Sequence, residues 1–418
     1  MPEEPVLHFL DGQNYDCVQC GKGCSTDWKI SVDPATRRGL RGTPVELRVI
    51  QEHGAAWDEP QAFMTTGGQA VSLESPGPIY ALKDKNCNCV FLQPNKLCGI
   101  HAEMGFAAKP IVCRMYPFEP IPTPDGVFIS ASYRCTAIQQ NHGRPMAAHE
   151  EDVRGLLKLV GFHQIGFEPN LVFGQTTIDW EGYKTLEAFL LDQLLKVSPD
   201  RALGQVVWAL CEEIVESADR PRVLDKTILT AALARQVSGR LEGDSIIMAQ
   251  VELILMTTIA FVEGIDRREL VETIVGGGSI TLPSCHWSGT FADLDAKAEK
   301  SVGQRYDAEI ARYLKALIFG KQLMMFFNGP VLNNLVTMYL YPRFLRLYTA
   351  AFAAARGREC LADTPRRPPQ GGTLAEDADY FQAVDICENK LATHSRGVPD
   401  FIEAFAQSFV NQIQILRV

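Results

Sequence analysis

The sequence predicts a mainly α-helical protein in which a small, irregular cysteine-rich domain with short strands packs on a larger α-helical domain. Two observations lead to this fold class. Residues 1–145 contain eight of the twelve cysteines and are broken by prolines and glycines, with little helical period. Residues 146–418 carry apolar residues every three or four positions, which is typical of helices that bury one face. We therefore predict one domain at 1–145 and a second at 146–418.

The elements of the N-terminal part are predicted to be short. Pro76-Gly77-Pro78 and the four prolines between residues 117 and 124 interrupt regular structure, because proline lacks an amide proton and fixes its own backbone. The runs between these breaks predict strands at residues 69–73, 79–82 and 126–131. A domain with so few apolar layers needs a further source of stability.

The C-terminal part is predicted to be helical. Asp200 and Asp244 are predicted N-caps, because an aspartate side chain accepts hydrogen bonds from the first amides of a helix. Pro342 is expected to bend or restart its helix, and a surface linker rich in proline and glycine is expected at 361–373. Helices are predicted at residues 151–160, 183–195, 201–215, 245–263, 307–327, 331–355, 375–394 and 399–415.

Composition limits the partners. The formal net charge is −10 and the isoelectric point is near 5.4, so neither nucleic acid nor an anionic membrane is an expected partner. The first residues lack the basic and apolar runs of a secretory signal. The longest apolar stretch, 246–262, carries Gln250 and Glu252 and is predicted to be a buried helix. A cytoplasmic location is expected.

The N-terminal cysteines follow spacings that are typical of metal ligands. In a C-x2-C pair the intervening turn returns both sulfurs to one side, so that both can bind one metal. Cys87 and Cys89 are separated by one residue, and they are expected to serve different sites, or only one of them binds. The candidate ligands are Cys17, Cys20, Cys24, Cys87, Cys89, Cys98, Cys113 and Cys135.

Metal coordination is favoured over disulfides for these thiols. Disulfides belong mostly to secreted chains and to domains too small to build a core, whereas 418 residues that are 46% apolar can bury a large one. Four cysteines serve either a tetrahedral zinc ion or an iron–sulfur cluster. Eight thiols therefore fit two sites, or one site with structural spares. The cysteine-rich domain is accordingly predicted to bind metal, which would supply its missing stability.

The order of these motifs resembles a known family. Residues 15–135 are similar to the YkgJ-type cysteine-cluster proteins, which are described as zinc- or iron-chelating. Many members carry adjacent cysteines in the first element, whereas here Gly23 precedes a single Cys24. The matching motifs are Cys17-x2-Cys20-x3-Cys24, Cys89-Val-Phe-Leu, Cys98-Gly-Ile-His and Lys109-Pro-x2-Cys113-Arg-x-Tyr-Pro-Phe118.

A cysteine cluster followed by helices is also the arrangement of flagellin lysine N-methylases, which this chain resembles. The resemblance implies S-adenosylmethionine-dependent methyl transfer to protein lysines, a [4Fe–4S] cluster in preference to zinc, and a protein substrate. The alternatives are a non-catalytic zinc or iron–sulfur module whose helices bind a partner protein, and a metal-handling protein that passes its ion on. Catalytic and cofactor-binding residues are not specified by the sequence.

Two other segments have competing interpretations. The run Gly276-Gly277-Gly278-Ser279 follows a helical stretch, so a helix C-cap and loop is favoured over a phosphate cradle. An aromatic set near residues 326–348 is expected to be helical core, and the alternative is a pocket wall for a lysine side chain or a methylsulfonium. The set comprises Phe326, Phe327, Tyr339, Tyr341, Phe344 and Tyr348.

Overall fold

The fold is mainly α-helical with short strands, as predicted. The chain divides into two units. Unit 1 is Met1–Gln164 and unit 2 is Ile165–Val418. The fold is given by a computed structural model. It describes residues 4–25, 29–53, 63–65, 79–81, 86–161, 168–216, 220–235, 244–302, 305–324, 329–357, 377–392 and 400–416. The predicted strand at 69–73 and the predicted linker at 361–373 lie outside these residues.

Unit 1 combines short strands with short helices. Its strands are β1 (Leu7–Phe9), β2 (Asn14–Tyr15), β3 (Ser31–Val32), β4 (Phe63–Thr65), β5 (Ile79–Ala81), β6 (Phe118–Thr123), β7 (Gly126–Ala131) and β8 (Arg144–Pro145). Its α-helices are α1 (Pro34–Leu40), α2 (Pro44–His53), α3 (Gly99–Met104), α4 (Ile111–Met115), α5 (Thr136–Gln139) and α6 (Glu150–Val160).

The sheet β1-β7-β6 anchors unit 1. The predicted strand at 126–131 is confirmed as β7, which pairs parallel with β1 and antiparallel with β6. Val127 and Ile129 are fully buried in it. Gly126 begins β7 at φ +130°, and a Cβ there would lie 2.4 Å from the carbonyl oxygen of Val6. Only glycine at position 126 allows the chain at the start of β1 to lie so close to the hairpin formed by β6 and β7.

Unit 2 is built mainly from helices around one long central helix. Its strands are β9 (Asn170–Phe173), β10 (Thr176–Ile178), β11 (Arg222–Leu224), β12 (Ser279–Leu282) and β13 (Trp287–Thr290). Its α-helices are α7 (Trp180–Gln193), α8 (Pro199–Glu216), α9 (Lys226–Ala234), α10 (Ser245–Glu263), α11 (Arg267–Val275), α12 (Phe291–Lys297), α13 (Asp307–Phe319), α14 (Val331–Ala355), α15 (Asp377–Cys387) and α16 (Asp400–Leu416).

The central helix of unit 2 is α14. It runs without a break through Pro342, which was expected to bend or restart it, and it packs against α8, α15 and α16. Most of its side chains are buried all round, which explains why the stretch is apolar without a polar face. This burial compensates for the backbone hydrogen bond that a proline removes from a helix interior.

The cap predictions had different outcomes. Asp244 is confirmed as the N-cap of α10, because its side chain accepts hydrogen bonds from the amides of Ile246 and Ile247, each at 2.9 Å. Asp200 is not an N-cap: α8 begins at Pro199, whose fixed backbone suits a first helical position, and Asp200 lies inside the first turn. There the carboxylate of Asp200 accepts a hydrogen bond from Arg346 at 2.8 Å.

Helix α10 is long and apolar enough to cross a membrane by length and composition. Half of its most apolar window is buried inside the protein, as in core helices of soluble proteins, which pass the same test. The expected cytoplasmic location therefore stays a prediction.

A buried ion pair ends α13 earlier than the sequence predicts. The predicted helix 307–327 stops at Phe319, and Lys321 adopts a left-handed backbone with φ +57°. Lys321 is 1% exposed, and its Nζ donates to the two carboxylate oxygens of Glu187 at 2.6 and 2.8 Å. The rings of Trp180, Tyr183 and Phe319 lie 5.4 to 5.9 Å from the same ammonium. Apolar residues continue at helical spacing past residue 319, so the sequence pattern does not predict that α13 ends there.

Replacing Lys321 by Met should strongly destabilise unit 2. The substitution leaves the Glu187 carboxylate buried without its cation, and breaking one side of a buried pair costs about 3–5 kcal/mol. The free energy of unfolding is measured by chemical denaturation followed by circular dichroism. The double variant Lys321→Met/Glu187→Leu should recover most of that loss, since both charges are then gone. A double variant less stable than the single one contradicts this account.

Candidate metal centre

A cavity of about 400 Å³ in unit 1 is lined by seven of the eight candidate cysteines. Cys87 is exposed and is not among the lining residues. No disulfide joins the cysteines in the described part of the chain. The seven thiols come from five separate stretches of sequence, namely Cys17 with Cys20 and Cys24, then Cys89, Cys98, Cys113 and Cys135.

The first stretch follows β2 and turns sharply. Gln19 and Gly21 both adopt positive φ, at +54° and +71°, and a short 3₁₀ helix then spans Lys22–Cys24. A Cβ at Gly21 would lie 3.1 Å from both the Cβ and the carbonyl oxygen of Lys96. Glycine at this position therefore lets the first stretch approach the loop that leads to Cys98.

Backbone hydrogen bonds fix Cys89 and Cys98. The amide of Cys89 donates to the carbonyl oxygen of Cys24 at 2.7 Å, which ties the first stretch to the second. The amide of Gly99 donates to the carbonyl oxygen of Phe91 at 2.7 Å, and Cys98 stands directly before α3. These bonds hold the two backbones in place independently of any ligand.

Cys113 and Cys135 are placed by short helices. Cys113 lies in α4, which follows Pro110 and ends before Tyr116. The amide of Ile111 donates to the carboxylate of Asp33 at 3.0 Å, and this bond ties the start of α4 to the start of α1. Cys135 is the residue before α5.

The seven cysteines fall into two groups. One group packs on an apolar cluster of unit 1, and we call it the cysteine quartet: Cys24, Cys89, Cys98 and Cys113. The other group, the cysteine trio, consists of Cys17, Cys20 and Cys135. In the trio, the thiol of Cys20 donates to the hydroxyl oxygen of Thr136 at 3.4 Å, which places Cys20 beside Cys135.

Burial keeps the groups around the trio protonated when no metal is bound. It raises the pKa of the Cys135 thiol to about 11, although the amides of Ile138 and Ala137 act in the opposite direction. The pKa of the Tyr15 hydroxyl is raised by burial and then by the thiols of Cys17 and Cys135. A metal that binds here must displace thiol protons, so its affinity depends on pH.

The cavity is cationic. Lys22, Lys96 and Lys109 line it together with His101, and the lining residues of the described chain include no aspartate or glutamate. This composition is unusual for a protein with a net charge of −10. Positive charge in the lining favours a net-anionic occupant.

The thiols surround a space and do not meet at a point. In the part of the chain that the structure describes, no three His, Cys, Asp or Glu side chains are gathered closely enough to hold one metal ion. Four thiolates on one zinc ion, each at ~2.3 Å, lie only about 3.8 Å from one another.

A second cavity of about 870 Å³ adjoins the first and shares Phe91 and Lys96 with it. Its wall also carries Arg48, Glu52 and Asn88. Its volume falls within the range of small-molecule sites, which is about 300–1,000 Å³.

The other two segments lie in unit 2. Gly276 is the C-cap of α11, and β12 follows at Ser279, so the glycine run is a cap and loop as predicted. Tyr341 and Phe344 are fully buried in α14, and the Tyr348 hydroxyl donates to Glu263 at 2.6 Å. These aromatic residues are helical core, whereas Phe326 and Phe327 lie outside the described residues.

Sequence reasoning missed several residues of the cavity. Tyr15, Lys22 and Lys96 were not singled out, because none of them follows a ligand spacing. One available signal was proximity in sequence, since Tyr15 precedes Cys17 by two residues and Lys22 lies between Cys20 and Cys24.

Comparison with known proteins leaves the family open. No family model matches the chain, and no solved structure matches it. A stretch of 142 residues, 34% of the chain, is 27% identical to "Uncharacterized protein MJ0939" of Methanocaldococcus jannaschii. The match spans 42% of that relative's length. The name of this relative states no activity.

The stability of unit 1 should fall as the pH rises from about 4.5 to about 7. Burial raises the pKa of Glu119, on β6, to about 7, against the hydrogen bond of Ser132 and the charge of Arg134. Between the two pKa values the folded state keeps a proton that the unfolded state has released, so unfolding becomes more favourable as pH rises. The unfolding free energy, measured across this range for the parent and for Glu119→Gln, tests the effect.

The Glu119→Gln variant should show a flatter pH dependence, because its amide does not titrate. Glu151→Gln is the matched control, since Glu151 is an exposed carboxylate of the same unit, and it should retain the parent's slope. Equal slopes for the parent and Glu119→Gln contradict the assignment.

Proposed function

We propose that unit 1 binds an iron–sulfur cluster of the [4Fe–4S] type in the cysteine-lined cavity. The observation that carries the proposal is that seven cysteines line one cavity. A polynuclear cluster takes one cysteine on each of several separated irons, whereas zinc needs all its sulfurs around one ion. The lysines that line the cavity would offset the negative charge of thiolates and cluster.

The donor chemistry fits the group. Thiolate is a soft ligand that selects iron–sulfur clusters, zinc or copper(I), and the lining residues that the structure describes offer no carboxylate that would favour a hard cation. A bound cluster would supply electron transfer, or a Lewis-acidic iron where one iron lacks a cysteine. The chain's own residues hold the cluster, surround it with apolar side chains such as Ile100, and balance its charge with Lys22 and Lys109.

We further propose that the protein is an enzyme that methylates lysines of a protein substrate with S-adenosylmethionine. The support is the motif resemblance together with the finding that all the cysteines of those motifs line one cavity. The adjoining 870 Å³ cavity shares Phe91 with the cluster cavity and is large enough for a small-molecule cosubstrate. No glycine-rich strand-to-helix turn of the common nucleotide-binding type was found in the sequence.

The alternative is a non-catalytic zinc or iron–sulfur module that binds a partner protein. Under both readings the partner is a protein, and the net charge of −10 does not favour nucleic acid or anionic membrane. Both readings also place the protein in the cytoplasm, where thiols stay reduced.

Protein prepared without oxygen should be brown and contain iron with acid-labile sulfide. Replacing Cys113 by Ser should lower the bound metal and expose residues 15–135 to protease, because a protonated hydroxyl binds iron and zinc poorly. Metal binding contributes on the order of 10 kcal/mol to folding in small metal domains, so the loss of a ligand is felt by the whole cluster domain. Elemental analysis and limited proteolysis measure the two effects.

Cys87→Ser and Cys211→Ser are the controls for that experiment. Cys87 is an exposed thiol of unit 1 outside the cavity lining, and Cys211 is buried in α8 of unit 2. Both variants should keep the parent's metal content and protease pattern. Full metal content in Cys113→Ser, or a parent with less than about half an equivalent of iron plus zinc, contradicts the proposal. A colourless parent that contains zinc supports the zinc module instead.

Calorimetric titration with S-adenosylmethionine should show binding to the cluster-loaded protein. Lys96→Ala should weaken that binding, because Lys96 lines both cavities and can contact an anionic carboxylate. Lys158→Ala removes a surface lysine of α6 and is the control that should bind as the parent does. Absence of heat at millimolar ligand favours the non-catalytic module.

A further inference from the structure

We infer that the cavity contains two metal sites: the cysteine quartet ligates every iron of one cluster, and the cysteine trio holds a second cluster with one iron open to a small nitrogen- or oxygen-donor ligand. This inference rests on the proposed iron–sulfur function and deepens it. The grouping of the thiols into a quartet and a trio supports it.

The quartet is one structural group. Cys24, Cys89, Cys98 and Cys113 all pack on the same apolar cluster, whose members include Val45, Phe91 and Ile100. Cys24 and Cys89 are joined through a backbone hydrogen bond of 2.7 Å, and Cys98 follows the loop closed by the bond between Gly99 and Phe91. Four cysteines satisfy the four irons of a cubane, so this site is closed.

The trio is a separate group. None of Cys17, Cys20 and Cys135 belongs to the described apolar cluster on which the quartet packs. Cys20 is joined to the start of α5 by the 3.4 Å contact of its thiol with Thr136, and Cys135 is the residue before α5. Lys22 reaches the same helix, because its Nζ donates to the side-chain oxygen of Gln139 at 3.3 Å.

The Tyr116 ring lies beside the backbone between Cys20 of the trio and Cys24 of the quartet. A Cβ added at Gly23, between Cys20 and Cys24, would lie 3.1 Å from the Tyr116 ring. The ring therefore packs on the backbone just before the quartet begins.

The trio leaves one metal position without a cysteine. Three thiolates cannot satisfy four irons, and the described lining of the cavity contains no cysteine outside the quartet and the trio. Asp16, the carboxylate next to Cys17 in sequence, is engaged by Arg144 at 3.1 Å. Metal sites that bind exogenous ligands keep one position without a protein ligand, whereas fully ligated sites are structural. The open iron would face the cavity and take an amine, a carboxylate or an alcohol.

Single variants of each group separate the two sites. Protein reconstituted without oxygen with ferrous iron and sulfide should bind about eight irons per chain, from two four-iron clusters. Cys98→Ser and Cys20→Ser should each lower iron about two-fold, whereas the exposed Cys87→Ser should leave it unchanged. After reduction with dithionite, cyanide should shift the electron paramagnetic resonance spectrum of the parent and of Cys98→Ser, and leave that of Cys20→Ser unchanged.

Two results overturn the inference while leaving the proposed function intact. One is the loss of all iron in either folded single variant, which indicates a single shared cluster. The other is a cyanide response that survives in Cys20→Ser. Cys24→Ser and Cys17→Ser provide a second pair if circular dichroism shows that a first variant is unfolded. A parent that takes up no iron and sulfide overturns the proposed function and the inference together.

Discussion

The structure of unit 1 depends on holding seven thiols around one cavity, a task for which regular secondary structure provides little. The cysteine-bearing stretches are joined by single hydrogen bonds, such as those from Cys89 to Cys24 and from Gly99 to Phe91. Each such bond contributes about 1 kcal/mol net to folding. Metal ligation in small domains contributes several times more, so in our proposal the cluster is a principal source of this unit's stability.

The two units differ in how their lysines are paired. In unit 2, Lys321 has its own counter-ion in Glu187, and the pair also contacts three aromatic rings. At the cavity of unit 1, lysines and a histidine occur without an acidic residue among the described lining positions. The first arrangement is self-contained. The second is suited to a negative charge that comes from outside the polypeptide, which thiolates bearing an iron–sulfur cluster would provide.

Much of this organisation could be predicted from the sequence, because it depends on local patterns. The fold class, the strand at 126–131 and the Asp244 cap follow from composition, alternation and cap chemistry. Cysteine spacing singled out the seven residues that line the cavity, but it also included Cys87, which lies outside. Tertiary contacts explain the errors: α13 stops early because Lys321 pairs with Glu187, and Asp200 enters the first turn of α8, where it binds Arg346. Whether the cysteines ligate metal stays a prediction.

The wide separation of the thiols along the chain bears on biosynthesis. Cys17 and Cys135 belong to one group yet are 118 residues apart, so closing that group requires most of unit 1 to be in place. A ribosome-bound chain that has not yet exposed Cys135 can offer the quartet but not the trio. In our inference, cluster delivery to the trio is therefore a late event, after synthesis has passed α5, and a chain truncated upstream of Cys135 would be loaded only in part.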